Sequence, residues 1–229
     1  MTPALYLVPA ALGGAPARVL PAATIETVRA LRDFAVENTK SARAFLSELG
    51  MPCAIQELSM VKIGPDAAPL LDPLRAGRSL GVLSEAGCPA VADPGAALVA
   101  AAHQEGFRVV PLVGPSSIML ALMACGLEGQ RFAFCGYLPR DIQERAQRIR
   151  ALEKRSRAER ETQIFIETPY RNEALLAALL EFCAPGTLLC VASDLTLPSE
   201  DVRTRIVADW RGMHHVIGKR PTVFLLLAG

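Results

Sequence analysis

The run LGVLSEAGCPAVADPG, Leu80 to Gly95, followed after one helix-forming stretch by VVPLVGPSS from Val109, constrains the fold more than any other segment. Leu80 to Leu83 is a short apolar strand that stops in small residues, Pro and Gly. Ala97 to Ala102 reads as a helix ending near Gly106, and Arg108 to Leu112 as a second strand. A strand-loop-helix-strand unit of this length favours parallel pairing. Both strands run into loops of Gly, Ser and Pro, at the strand ends where open α/β sheets place their ligands.

The rest of the chain repeats the alternation. Ala4 to Val8 is a strand entering the small-residue loop Pro9 to Gly14, and Thr24 is read as the cap of a helix through Ala30. Phe34 to Glu37 is a strand, Ser41 to Leu49 a helix closed by Gly50, Met51 to Ile63 extended and irregular, and Pro69 to Arg75 a short helix. Beyond Val113 come an apolar helix, Ile118 to Cys125, and a strand, Arg131 to Tyr137. A charged helix, Ile142 to Arg160, precedes a strand from Ile164 to Glu167 and a helix from Ala174 to Phe182. Thr187 to Ser193 and Thr222 to Ala228 close the series as strands. The pattern predicts two α/β lobes, residues 1–113 and 114–229, with a cleft between them.

With 51% hydrophobic residues the chain has ample material for two cores, and a net charge of +1 argues against broad phosphate neutralisation. The six cysteines are scattered, without CxxC or neighbouring His at ligand spacing, so they read as buried free thiols and no metal site is expected. The N-terminus carries no positive leader, and no stretch approaches the roughly 20 apolar residues of a membrane helix. A soluble, cytoplasmic chain without membrane partners is expected.

Small residues at Ala10 to Gly14, at Ala86-Gly87-Cys88 and at Gly114 to Ser117 let backbone groups approach a ligand closely. Neither GxxxxGK[ST] nor GxGxxG occurs, which disfavours nucleotide cradling of those kinds. Polar groups follow the predicted strands at Glu37, Asn38, Thr39, Ser84, Glu85, Asp93, Ser116, Ser117, Glu167, Tyr170, Arg171, Ser193 and Asp194. Glu85 and Glu167 stand out, because a carboxylate at the end of an apolar strand is costly unless paired or used. Asp93, before Pro94-Gly95, reads equally well as a turn residue. His103 is expected on a solvated helix face and His214-His215 in a polar turn. With no placed His and no GxSxG, a Ser-His-Asp hydrolase is a poor reading. Arg140 to Arg160 holds eight basic and four acidic residues. It reads first as a solvated, ion-paired helix, and second as a contact for an anionic substrate through Arg145 and Arg148.

Taken in order, these motifs resemble the S-adenosylmethionine-dependent tetrapyrrole methylase superfamily. Within it they are most similar to the branch of bacterial 16S ribosomal RNA ribose-2′-O-methyltransferases. Leu7 to Gly13 resembles that branch's LVPTPIGN-like loop, and Val36 to Lys40 its AEDTR segment. Leu83 to Gly95 resembles VSDAGTPxIxDPG, and Val113 to Ser116 the PGP loop. Arg131 to Pro139 is similar to RFxxxGFLP, Phe165 to Arg171 to FYESxHR, and Ala192 to Thr196 to ARELTK. Asn38 stands where the branch has Asp, Cys88 where it has Thr, and Ser193 where it has Arg. Lys219 to Thr222 replaces a KGE-like approach to the last strand, and no C-terminal helical extension follows Gly229.

The resemblance implies a tetrapyrrole methylase-like fold, commonly a homodimer, with the cofactor S-adenosyl-L-methionine bound between two α/β lobes. By motif position it implies cofactor contacts at Ala10, Ala86, Gly87, Cys88, Val91, Ser116, Ser117, Ile118, Ile166, Ala192, Pro221 and Thr222. Glu37, Thr39, Glu85 and Glu167 are expected on the acceptor side, where RNA is the implied substrate. A small tetrapyrrole is the alternative acceptor, and a non-catalytic cofactor-binding regulator the alternative of another class.

Overall fold

The computed structural model describes residues 3–229. They form two compact units, one up to Ser116 and one from Ser117 to Gly229.

The first unit contains β1 (Ala4–Val8), α1 (Ala22–Ala30), β2 (Asp33–Val36), α2 (Thr39–Glu48), β3 (Ser59–Lys62), α3 (Asp72–Arg75), β4 (Leu80–Leu83), α4 (Ala96–Gln104) and β5 (Arg108–Pro111). Its five strands lie in the order β3-β2-β4-β1-β5, and every neighbouring pair is parallel. Sheets of this kind are covered on both faces, which explains strands that are apolar at every position. Phe34, Val36 and Leu83 feed one core cluster while Ala35, Leu80 and Val82 feed another. Gly81 faces Phe34 across the β2–β4 ladder, and a Cβ there would lie 2.7 Å from the Phe34 ring. Only glycine lets that ring lie over β4.

The second unit contains α5 (Ser117–Cys125), β6 (Phe132–Tyr137), α6 (Ile142–Glu159), β7 (Thr162–Ile166), α7 (Asn172–Phe182), β8 (Leu188–Ser193), β9 (Asp201–Ile206), α8 (Val207–Arg211) and β10 (Thr222–Leu227). The sheet order is β6-β7-β10-β8-β9; β6 and β7 are parallel and the other pairs antiparallel. Phe165 and Phe224 sit opposite one another on β7 and β10, stacked with ring centroids 6.0 Å apart. Trp210 of α8 is enclosed and donates its indole N–H to the Leu189 carbonyl at 2.9 Å.

Several local expectations are corrected. The segment Met51–Ile63 contains strand β3, and residues 201–211, unassigned from sequence, form β9 and α8. β3 is an edge strand whose side chains are largely exposed, so apolar periodicity could not mark it. Thr24 does not cap α1, which begins two residues earlier after Pro21. It is buried and donates its hydroxyl to the Val113 carbonyl at 2.8 Å, tying α1 to the loop after β5. All six cysteines are free, but only Cys125, Cys183 and Cys190 are buried; the other three are partly exposed. The α6 helix is not wholly solvated, since Arg145 and Glu153 are both buried.

Candidate functional site

In the first unit the loops after β1, β4 and β5 meet. Ala10 and Gly87 form an antiparallel bridge, with Ala10 N–H donating to Gly87 at 2.8 Å and Gly87 N–H donating back at 3.1 Å. The Cys88 thiol lies 3.5 Å from the Pro115 carbonyl. Gly87 has φ +69°, and a Cβ there would stand 3.4 Å from Leu12 and 3.9 Å from the Pro115 oxygen. Gly114 packs so tightly on Pro9 that a Cβ would fall 2.3 Å from its ring. The three small-residue loops predicted from sequence therefore form one backbone-lined surface. The N–H groups of Ala10 and Gly87 are consumed by their mutual bridge.

Carboxylates gather at the same end of this sheet, because β2 and β4 are neighbours and both finish there. Glu37 extends the ladder by donating its N–H to the Leu83 carbonyl at 2.9 Å, and its Oε2 accepts the Glu85 N–H at 3.0 Å. The Ser41 hydroxyl lies 3.1 Å from the Asn38 carbonyl and 3.3 Å from Glu85 Oε1. Asp93 joins them. Burial pushes its carboxyl above the ordinary aspartate range, and the negative charges of Glu37 and Glu85 push it further, against a hydrogen bond from Ser84. Asp93 lies in the bend that leads into Pro94-Gly95, and its closeness to Glu37 and Glu85 follows from the adjacency of β2 and β4, which the sequence does not display. Burial and the charge of Asp93 likewise push the Cys88 thiol up.

Asn38 is the N-cap of α2, its Oδ1 accepting the Lys40 N–H at 2.9 Å. Asp would cap equally well, so the amide keeps the helix start and loses only the charge. Thr39 is the first residue of that helix. Val91 is exposed, and Ala90 and Ala92 on either side have φ of +67° and +63°.

In the second unit Ile166, Val223 and Ala192 occupy one rung across β7, β10 and β8, and Thr222 faces Ser193 on the next. Ser193 and Thr222 are buried with their hydroxyls 2.9 Å apart, and the Thr222 hydroxyl also lies 3.0 Å from the Arg220 carbonyl. Pro221 accepts the Asp194 N–H at 3.0 Å. Ile118 is buried on α5, whose first residue is Ser117. Glu167 lies just past β7 with its side chain enclosed: Oε2 pairs with Arg171 at 2.9 Å and Oε1 accepts the Thr168 N–H at 2.7 Å. Both oxygens are engaged locally, unlike those of Glu37 and Glu85. Tyr170 is exposed, its ring 5.0 Å from the Lys219 ammonium. His103 is exposed on α4, and His215 packs edge-on against Trp210.

Among the described residues no group of His, Cys, Asp and Glu is arranged to hold a metal ion, and no helix is long and apolar enough to cross a membrane.

Residues 14–208 match the family described as Tetrapyrrole (Corrin/Porphyrin) Methylases. A protein of Mesorhizobium japonicum named ribosomal RNA small subunit methyltransferase I is 36% identical over 215 residues, covering 91% of this chain and 70% of that protein. A protein of the same name from Vibrio cholerae is 30% identical over 207 residues, covering 90% and 70%. Among solved structures, the methyltransferase CobJ superposes with a TM-score of 0.63 at 19% identity, covering 100% of this chain and 95% of that one. A diphthine synthase superposes with a TM-score of 0.67 at 16% identity, covering 98% and 89%.

Proposed function

The chain belongs to the tetrapyrrole methylase family and is a methyltransferase, and on that premise we propose that it methylates a ribose hydroxyl of small-subunit ribosomal RNA with S-adenosylmethionine as donor. The observation that carries the reading is the cluster of Glu37, Glu85 and Asp93 beside the three small-residue loops.

The residues present fit the donor. Its amino acid part and adenine call for backbone groups at close range; at Gly114 a Cβ would crowd Pro9, and Gly87 takes the left-handed φ of +69° that favours glycine. We assign Ala10, Ala86, Gly87, Cys88, Val91 and Ser116 of the first unit to it, and Ser117, Ile118, Ile166, Ala192, Pro221 and Thr222 of the second. Ala10 and Gly87 contribute their shape rather than their N–H groups, which are already paired. When bound, the donor supplies a methyl group on a cationic sulfur, open to in-line attack by oxygen.

The protein's own work is to position the hydroxyl and receive its proton. A ribose hydroxyl is a weak nucleophile, and a carboxylate within hydrogen-bond reach removes its proton as the new oxygen–carbon bond forms. Glu37 and Glu85 are the candidates, with Thr39 at the α2 terminus beside them; Asn38, an amide, cannot take a proton. Asp93, its carboxyl pushed above the ordinary aspartate range by burial and by the charges of Glu37 and Glu85, lies beside the two glutamates. Glu167, enclosed and paired with Arg171, acts on the acceptor side by positioning.

RNA is preferred to a small tetrapyrrole because relatives at 30–36% identity bear the ribosomal name, whereas the methyltransferase CobJ shares the fold at 19% identity. We further propose a cytoplasmic homodimer, which light scattering at micromolar concentration checks. Incubating the purified protein with labelled S-adenosylmethionine and small ribosomal subunits tests the activity, with a porphyrinogen as the competing acceptor. Label in RNA, abolished in a Glu37→Gln, Glu85→Gln double variant, is expected. Cofactor binding without transfer to either acceptor would favour a regulator.

A further inference from the structure

Three arginines of α6 have a visible partner. Arg155 pairs with Glu161 at 2.8 Å, Arg157 donates to the Gly229 carbonyl at 2.8 Å, and Arg150 lies 5.2 Å from the centre of the Phe182 ring. Arg145 differs from all of them. The residue is only 8% exposed, its Nε is enclosed without a hydrogen-bond partner, and no carboxylate among the described residues lies within ion-pair distance of it. Arginine cannot shed its proton, so burial leaves a full charge in need of a counter-charge. Its terminal nitrogens are not enclosed in the way Nε is, so the counter-charge can come from solution.

The location gives this charge a purpose. β6 and β7 are parallel and α6 connects them, so the first turn of α6 lies at the end of the sheet where Ile166 and Glu167 follow β7. Asp141, the acidic residue nearest the helix start, caps α6 through the N–H groups of Gln143 and Glu144 at 2.9 and 3.0 Å. Arg148, one turn further on, is exposed and makes no ion pair among the described residues, and its charge acts on Cys135 of β6. β6 is an edge strand whose Tyr137 side chain is exposed, which gives a nucleobase a ring to stack against.

We propose that Arg145 and Arg148 together hold a backbone phosphate of the RNA that is methylated, an inference that rests on the RNA reading above. A near-neutral chain makes a small electrostatic footprint, so a single pre-buried guanidinium carries an unusually large part of it. The buried stem fixes the fork of Arg145, and Arg148 supplies a second, mobile contact.

Binding of small-subunit ribosomal RNA is measured across a salt series for wild type, Arg145→Gln, Arg145→Lys and Arg148→Gln, with cofactor affinity measured calorimetrically for each. Each Gln variant should bind RNA roughly three- to ten-fold more weakly and lower the slope of log Kd against log salt by about one. Arg145→Lys should restore the slope, and cofactor affinity should stay constant throughout. Wild-type affinity and slope in both Gln variants would overturn the assignment. A halved mass of Arg145→Gln in light scattering would overturn it too, by giving the guanidinium a carboxylate of a second copy as partner. Should Arg145→Gln fail to fold, the exposed Arg148→Gln decides alone. Wild-type protein that binds cofactor but no RNA at any salt would instead bring down the RNA reading itself.

Discussion

Ala10 and Gly87 exchange two backbone hydrogen bonds, of 2.8 and 3.1 Å, across the ends of two neighbouring parallel strands. That bridge closes the loops after β1 and β4 onto one another, and Gly87 adopts φ +69° to make it. A side chain there carries the left-handed penalty. Gly87→Ala should cost about 1 kcal/mol, read as a lower urea midpoint, with a weaker S-adenosylmethionine titration. Unchanged stability and affinity would show that the bridge does not shape the site.

Thr24 and the Val113 carbonyl make the corresponding tether for the loop after β5. Thr24→Val keeps the shape and removes the donor, so the Val113 carbonyl loses this partner. A loss of about 1 kcal/mol is expected in equilibrium unfolding, with a cofactor affinity reduced because Ser116 follows directly on that loop.

Asp93 should make stability depend on pH in a specified direction. Its folded-state pKa is raised by burial, then by Glu37 and Glu85, so the fold is favoured while the group is protonated. That contribution is complete below the ordinary aspartate pKa of about 3.9 and is lost as pH rises through the raised value. Asp93→Asn should therefore melt higher than wild type at pH 7, the gain closing as pH falls below about 4. A lower melting temperature at pH 7 would contradict this.

The thiols should separate by reactivity. Burial pushes Cys183 up to about 12 and Cys190 up to about 11, so neither should react with N-ethylmaleimide in the native protein at pH 8. Cys88, partly exposed beside Pro115, should react slowly, and saturating S-adenosylmethionine should protect it. Mass spectrometry of labelled peptides gives the answer, and equal labelling of Cys88 with and without cofactor would remove it from the ligand surface.

Legibility in the sequence followed burial. β2 and β4 are enclosed on both faces, so Phe34–Val36 and Leu80–Leu83 appear as apolar runs. β3 and β9 are edge strands, largely solvated or alternating with Arg, and their sequences SMVK and DVRTRI carry no comparable signal. The convergence of the three loops was readable because each follows a strand of one parallel sheet. The partners of buried polar groups were not: the bond from Thr24 to Val113 spans 89 residues. The burial of Arg145 likewise depends on which face of α6 packs inward, and a run of eight basic residues hides that choice.

Removing the proton acceptors should separate chemistry from binding. Glu37→Gln and Glu85→Gln, made singly, should leave cofactor affinity within two-fold, as an order-of-magnitude bound, while the more important of the two lowers turnover by roughly 10²–10⁴. Equal loss of affinity and turnover would recast the glutamates as structural.

The central claim, methyl transfer from S-adenosylmethionine to a ribose hydroxyl of small-subunit ribosomal RNA, is tested most directly by alkaline hydrolysis of RNA labelled in vitro by the purified protein. A 2′-O-methyl group blocks cleavage at its own nucleotide, so the account predicts that the label is recovered in an alkali-resistant dinucleotide. Label recovered in mononucleotides, or no label in RNA while a porphyrinogen is methylated, would contradict it.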